Sequence, residues 1–210
     1  MNEAGEHTLS GQIPFGQELA RKDTHLVALV IPGGYYLLDL NRYEMLSIMI
    51  PITILMILID ISRLRGWPMW DKLVGRLFSR MIRVHEHSGD FTGATYILTA
   101  VCATIALFDR PVAVAALAFV IVGDSLAAVI GRRFGQHRFR NKSIEGSLGC
   151  LAGTAVVALA VPELALAVGL LGAVTATIVE AIPIGIDDNV TMPLTSGLVM
   201  TLSLNIINYL

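Results

Sequence analysis

Seven apolar runs, separated by short polar segments, leave this chain few ways to fold. They cover about 26–40, 43–61, 92–108, 111–130, 147–161, 164–182 and 190–209. Runs of this length and apolarity cross a bilayer as helices, because a helix satisfies every backbone polar group within its own segment. The fold class expected is therefore all-α: a polytopic membrane helical bundle of about seven transmembrane helices. The first run is short and contains Pro32-Gly33-Gly34, which predicts a kinked helix. With 54% hydrophobic residues, the chain is too apolar for an ordinary soluble domain.

Charge fixes an expected orientation. If the N-terminus lies inside, all but two of the 15 Lys and Arg residues fall on inner segments, and only Arg42 and Arg110 lie outside. That asymmetry predicts N-in, C-out. Between the second and third runs, Trp70, Leu73, Val74, Leu77 and Met81 recur at helical spacing, with Lys72, Arg76, Arg80 and Arg83 on another face. Residues 67–84 thus read as an amphipathic helix in the inner interface, bordering a route for a lipid. Residues 1–20 read as a flexible tail without the pattern of a cleaved signal peptide, and 21–210 as a single transmembrane catalytic domain. Cys102 and Cys150 lie in apolar runs, where a small packing role is expected rather than a disulfide.

Polar residues inside or beside the runs carry the functional argument. Asp124 sits in an apolar run, where a carboxylate is costly and marks a functional position by default. A basic segment follows with Arg132, Arg133, Arg138, Arg140 and Lys142, then Ser143 and Glu145 at the mouth of the fifth run. Glu180 closes the sixth run, and Asp187-Asp188-Asn189 lies six residues beyond it. Adjacent carboxylates repel unless a cation stands nearby, and Mg²⁺ takes oxygen ligands while keeping phosphates and water in its shell. A buried acid beside a dense cationic loop suits a metal ion and a polyphosphate. The glycines of 131–142 would let backbone N–H groups approach an anion, although the segment matches neither a Walker A loop nor a dinucleotide fingerprint.

Arg21, Lys22 and His25, Asp60 and Arg63, and Glu86 and His87 fall on the same inner side in this topology. Random snorkelling charges would populate both interfaces. Asp60 and Arg63, one helical turn apart, are expected to pair. His85 and His87 do not share a helical face, so zinc is not expected. Convergence on one side, with no internal repeat, also argues against a transporter, whose polar sites lie near the midplane.

At these residues the sequence resembles the dolichol kinase, phytol kinase and CTP-dependent diacylglycerol kinase family. The matching blocks are Arg-Lys-x-x-His at 21–25, Glu86 with Gly-Ala-Thr-Tyr at 93–96, and Gly-Asp-x-x-Ala-x-x-x-Gly-Arg at 123–132. Lys-Ser-x-Glu-Gly-Ser at 142–147 and Glu-x6-Asp-Asp-Asn at 180–189 complete the set. The middle block is similar to that of the CDP-diacylglycerol synthases, but their late Asp-Arg-x-x-Asp-Ser signature is absent. The resemblance implies transfer of the γ-phosphoryl group of CTP to the hydroxyl of a membrane lipid alcohol: diacylglycerol, a polyprenol such as dolichol, or phytol. It implies Mg²⁺ held by Asp187, Asp188 and Asn189 with Glu180, and phosphates clamped by Lys142, Arg132 and Arg133, with Ser143 and Lys22 also at the nucleotide. Asp124 is then a metal ligand or the base that orients the hydroxyl, and Glu145 a further catalytic or metal candidate. The partners expected are CTP, a lipid alcohol and the membrane, with no nucleic acid; the membrane expected is a prokaryotic inner membrane. The alternatives are a cytidylyltransferase making a CDP-lipid, a small transporter and a noncatalytic scaffold.

Overall fold

The computed structural model describes residues 26–66, 91–140, 142–182 and 186–209. The tail, Arg21, Lys22 and His25, the amphipathic segment 67–84, and His85, Glu86 and His87 lie outside the described residues. Seven helices stand among them: α1 (Val30–Leu37), α2 (Arg42–Leu64), α3 (Gly93–Leu107), α4 (Arg110–Phe134), α5 (Ile144–Ala160), α6 (Leu166–Ala181) and α7 (Asp188–Tyr209). A two-stranded antiparallel ladder, β1 (Arg138–Phe139) and β2 (Lys142–Ser143), joins α4 to α5.

Each helix falls on one of the seven apolar runs, but only α2, α4 and α7 are long and apolar enough to cross a membrane by themselves. Helices α3, α5 and α6 have 15, 17 and 16 residues. At 1.5 Å per residue these reach about 22–26 Å, short of a hydrocarbon core of about 30 Å. Among the described residues three helices thus have the length and apolarity to span a membrane, and α1 contributes only eight residues. Its irregular start follows from Pro32. The Ala28 carbonyl would accept from residue 32 in a regular helix; it accepts from Ile31 N–H instead, at 3.0 Å.

Helix α4 is the centre of the bundle. It starts with Pro111 in its first turn and is buried nearly all round from Val112 to Ile121. A helix apolar on every side is one that others surround. Helix α2 differs: Ile48, Ile50, Ile52, Ile54, Leu55 and Leu58 are exposed, a surface suited to lipid tails. It starts with a capping box in which Asn41 Oδ1 accepts from Tyr43 and Glu44 N–H while Glu44 accepts from Asn41 N–H.

Glycines set the α4–α5 contact. A Cβ on Gly153 would meet the Leu126 and Val122 side chains, and one on Gly149 the Ile130 side chain. A Cβ on Gly146 would lie 2.9 Å from the Ala127 carbonyl oxygen and 3.2 Å from Gly131 Cα, both backbone atoms that cannot swing away. Gly146→Ala is therefore expected to destabilise the protein by about 1–3 kcal/mol. Gly33 has nothing within 4 Å of its Cβ position. Gly33→Ala is expected to be neutral or to stabilise by about 0.5–1 kcal/mol. Thermal unfolding of both variants in detergent checks the contrast.

The two arginines left outside by the charge pattern are both paired. Arg42 donates to Asp109 and to the Phe108 carbonyl, each at 3.0 Å. Arg110 is bonded to Asp39 and lies 3.4 Å from Glu163. These contacts tie together three loops at the end of the bundle where α4 begins. The basic segment lies at the end where α4 stops.

Candidate functional site

The α4–α5 connection puts one cation where two other helices bring acids. Helix α4 runs past its apolar stretch to Phe134, then turns at Gly135 into the short ladder. Arg138 pairs with Ser143 and Phe139 with Lys142. The turn holds Arg140 at φ +52°, the left-handed region that tight hairpins require and that a side chain seldom adopts. Ser143 then caps α5, its buried Oγ accepting from Gly146 N–H at 3.0 Å, and Ile144 N–H donates to the His137 carbonyl. The backbone of Lys142 is held by its ladder pairing with Phe139 and by the α5 cap that follows it.

From that position the Lys142 ammonium donates to Glu180 Oε1 at 2.8 Å and to Asp188 Oδ2 at 3.2 Å. Three elements meet here: β2, the end of α6 and the start of α7. Glu180 is almost fully buried, and the other two side chains are about one third exposed (28% and 32%), so the cluster opens to solvent on one side. Ser147 Oγ stands 3.5 Å from the second Glu180 oxygen. Burial opposes the charge on Lys142, but the hydrogen bonds and charges of Glu180 and Asp188 outweigh it and raise its pKa above the usual lysine value.

Asp124 faces the same junction from α4. The preceding Gly123 leaves no room for a side chain: a Cβ there would lie 2.8 Å from Cys150 Sγ of α5 and 3.5 Å from Met192 of α7. That close approach sets half-buried Asp124 where its charge bears on both Cys150 and Asp188. Asp187 takes a different part from its neighbour. Its Oδ1 accepts from Asn189 backbone N–H at 2.9 Å and from the Asn189 side-chain amide at 2.6 Å. An ionised carboxylate only accepts, so the amide nitrogen must face it, and Asn189 Oδ1 must face away. That oxygen is buried and has no hydrogen-bond partner among the described residues. A buried acceptor in this condition wants a donor or a cation.

A probable chloroplastic phytol kinase 2 of Oryza sativa subsp. japonica is 32% identical over 145 residues, covering 58% of this chain and 48% of that protein. The CTP-dependent diacylglycerol kinase 1 of Schizosaccharomyces pombe is 26% identical over 160 residues, covering 65% and 71%. An uncharacterized protein of Rickettsia prowazekii is 26% identical over 197 residues, covering 90% and 95%. The chain is thus similar to proteins named as phytol and CTP-dependent diacylglycerol kinases. No family model and no solved structure matches it.

Among the residues that carried the resemblance to these kinases, Lys142, Glu180 and Asp188 come together, Asn189 follows Asp188 on α7, and Asp124 is near enough for its charge to act on Asp188. Arg132 and Arg133 lie exposed in the last turn of α4, where cations suit the helix dipole; Arg133 also stands 5.5 Å from the Phe134 ring centroid. Ser143 serves as the α5 cap. Glu145 turns to His137, whose Nδ1 is 2.7 Å from its Oε1 and whose backbone N–H donates to it at 3.1 Å. The His137 contact pulls the Glu145 carboxyl down to about 2, so it stays an anion near neutral pH and is poorly suited to deliver a proton. Gly131 and Gly135 serve close packing, each with a Cβ position under 3 Å from Ser143 Oγ, and Gly135 N–H donates to the Gly131 carbonyl.

Two groups belong to a separate network. Asp60 is fully buried and pairs with Arg63 as its spacing predicts, at 3.3 Å. It also accepts from Thr92 N–H, Thr92 Oγ1 and Thr95 Oγ1 at 2.7–2.9 Å, tying the start of α3 to α2. Sequence reading passed over Ser147 and His137. Ser147 closes the Lys-Ser-x-Glu-Gly-Ser block, and its place one turn from Ser143 was the available signal. Among the described residues, no three His, Cys, Asp or Glu side chains form a protein-only metal cage. The set instead offers carboxylates from separate helices and one orphaned amide oxygen. That donor set fits an ion that completes its shell with phosphate and water.

Proposed function

We propose that this protein is a CTP-dependent lipid kinase, moving the γ-phosphoryl group of CTP to the hydroxyl of a membrane lipid alcohol at the end of the bundle where α4 stops. The observation that carries the reading is the Lys142–Glu180–Asp188 cluster, with Asp124 beside it, in a bundle with three membrane-length helices. Relatives named as phytol and CTP-dependent diacylglycerol kinases support it. The match spans 48% of the rice protein, so the whole reaction is assigned here on the site as well as on likeness.

Phosphoryl transfer asks a protein mainly for positioning and charge neutralisation. Lys142 would neutralise phosphate oxygens, with Arg132 and Arg133 drawing the polyanion toward the α4 end. Asp188, Asn189 and Glu180, with Asp187 orienting the amide, would hold Mg²⁺, and Asp124 would complete that set or take the hydroxyl proton. When bound, the ion would offset the charge that develops between the β- and γ-phosphates. The acceptor hydroxyl belongs to a lipid such as diacylglycerol, a polyprenol or phytol, presented at headgroup level. In this reading the site faces the cytoplasmic leaflet of a prokaryotic inner membrane, with the N-terminus inside. Purified protein in vesicles, given CTP labelled at the γ or the α phosphorus and a panel of these alcohols, tests the reading. Label from the γ position is expected in the lipid fraction. Label from the α position would make the protein a cytidylyltransferase.

A further inference from the structure

The position of Lys142 raises a question of access. Its ammonium already occupies the space between Glu180 and Asp188, two of the acids that the proposed reaction assigns to a divalent cation. With Lys142 in place, this trio carries one net negative charge and is internally satisfied. A divalent ion taking the same two carboxylates must displace the ammonium. The backbone of Lys142 is held by the ladder and by the α5 cap, so only its side chain can move. That side chain is 28% exposed, which gives it a way out. On leaving, the ammonium gives up both of its carboxylate acceptors. A bare divalent cation therefore evicts an ammonium that is hydrogen-bonded to both carboxylates and supplies no acceptor in their place. A cation that arrives on a nucleotide brings the remedy, because the phosphates accept the ammonium as the carboxylates accept the metal.

We propose that Lys142 is a specificity-determining residue that opens Glu180 and Asp188 to a divalent cation only when the cation comes complexed to a nucleotide's phosphates. The inference rests on the nucleotide-dependent reading of the site, and it concerns how that site is loaded rather than what it transfers. Its consequence is a site that free divalent ions do not fill and that becomes competent only when the phosphate donor is present.

The test uses the full chain in detergent or nanodiscs, with Mn²⁺ as the probe and the free aquo ion followed by electron paramagnetic resonance. Binding is measured with Mn²⁺ alone and with Mn²⁺ plus the nonhydrolysable β,γ-methylene analogue of CTP, in each case as the Mn²⁺ retained with the protein beyond a protein-free control, because the analogue alone removes the aquo signal. The wild-type protein should bind Mn²⁺ at least about tenfold more tightly with the nucleotide than without it. Lys142→Met should bind Mn²⁺ alone about tenfold more tightly than wild type and gain little from the nucleotide. Lys142→Arg keeps the positive charge and should resemble wild type toward Mn²⁺ alone. Equal Mn²⁺ binding by wild type with and without nucleotide would overturn the proposal, and that comparison needs no variant to fold. Equal affinity of wild type and folded Lys142→Met for Mn²⁺ alone would overturn it as well. If Mn²⁺ binds as proposed but no γ label reaches lipid, the kinase reading fails and the loading rule stands. If γ label is transferred while Mn²⁺ binding ignores Lys142, the reverse holds.

Discussion

Replacing Lys142 with Met is expected to reduce γ-phosphoryl transfer by about 10²–10³-fold, the size of effect seen when one preorganised electrostatic donor is removed from an active site. The variant loses the ammonium that stands 2.8 Å from Glu180 and 3.2 Å from Asp188, and with it the positive charge that the proposed reaction assigns to the phosphates. It also leaves the nearly buried Glu180 without that countercharge, with Asp188 facing the same gap. Some loss of stability should accompany the loss of activity. Lys142→Arg separates the two effects. Its charge should preserve stability, but a planar guanidinium cannot reproduce the point charge of the ammonium between two acids, so transfer should remain well below wild type. Initial rates of γ-label transfer, compared with thermal unfolding of the same preparations, check both statements.

Replacing Asp60 with Ala should have the largest effect on stability, about 3–5 kcal/mol, because it removes a fully buried carboxylate that several donors share. Thr92 N–H, Thr92 Oγ1, Thr95 Oγ1 and Arg63 Nε all donate to it, within 2.7–3.3 Å. Without it the start of α3 loses the acceptor shared by Thr92 and Thr95, and the α2–α3 pair loses its polar tie. Asp60→Asn keeps the shape but replaces one acceptor oxygen with a donor, so it should fall between wild type and Asp60→Ala. The folded fraction of either variant should still transfer γ label, because the Asp60 network is distinct from the Lys142 cluster. A steep drop in unfolding temperature with retained activity at low temperature is the expected pattern.

Lys142 and Asp60 show what the sequence could convey. The apolar runs placed all seven helices, because hydrophobic length is a local property of the chain. They did not settle which helices span: the 15 residues of α3 and the 23 of α2 read alike as runs, and only the fold shows how far each extends. Charged residues in apolar surroundings marked Asp124, Glu180 and Asp188 because burial makes such residues conspicuous. Their partners were not legible. The cation beside Asp188 proves to be Lys142, from a ladder 46 positions away, and Asp187 turns to Asn189 instead. Asp60 and Arg63 read as a local pair, yet the principal donors to Asp60 come from α3. Ser143 and Glu145 sat in a block that resembled a nucleotide site; in the fold Ser143 caps α5 and Glu145 holds His137. Spacing reports which residues share a face of one helix. It does not report which faces meet.

The most direct measurement of the central claim is γ-label transfer from CTP to a lipid alcohol by wild type and by Asp188→Asn in matched vesicles. The site described here predicts label in lipid from the γ position with wild type, and at least about a hundredfold less with Asp188→Asn at comparable thermal stability. Equal transfer by the two proteins, or label arriving from the α position, would contradict it.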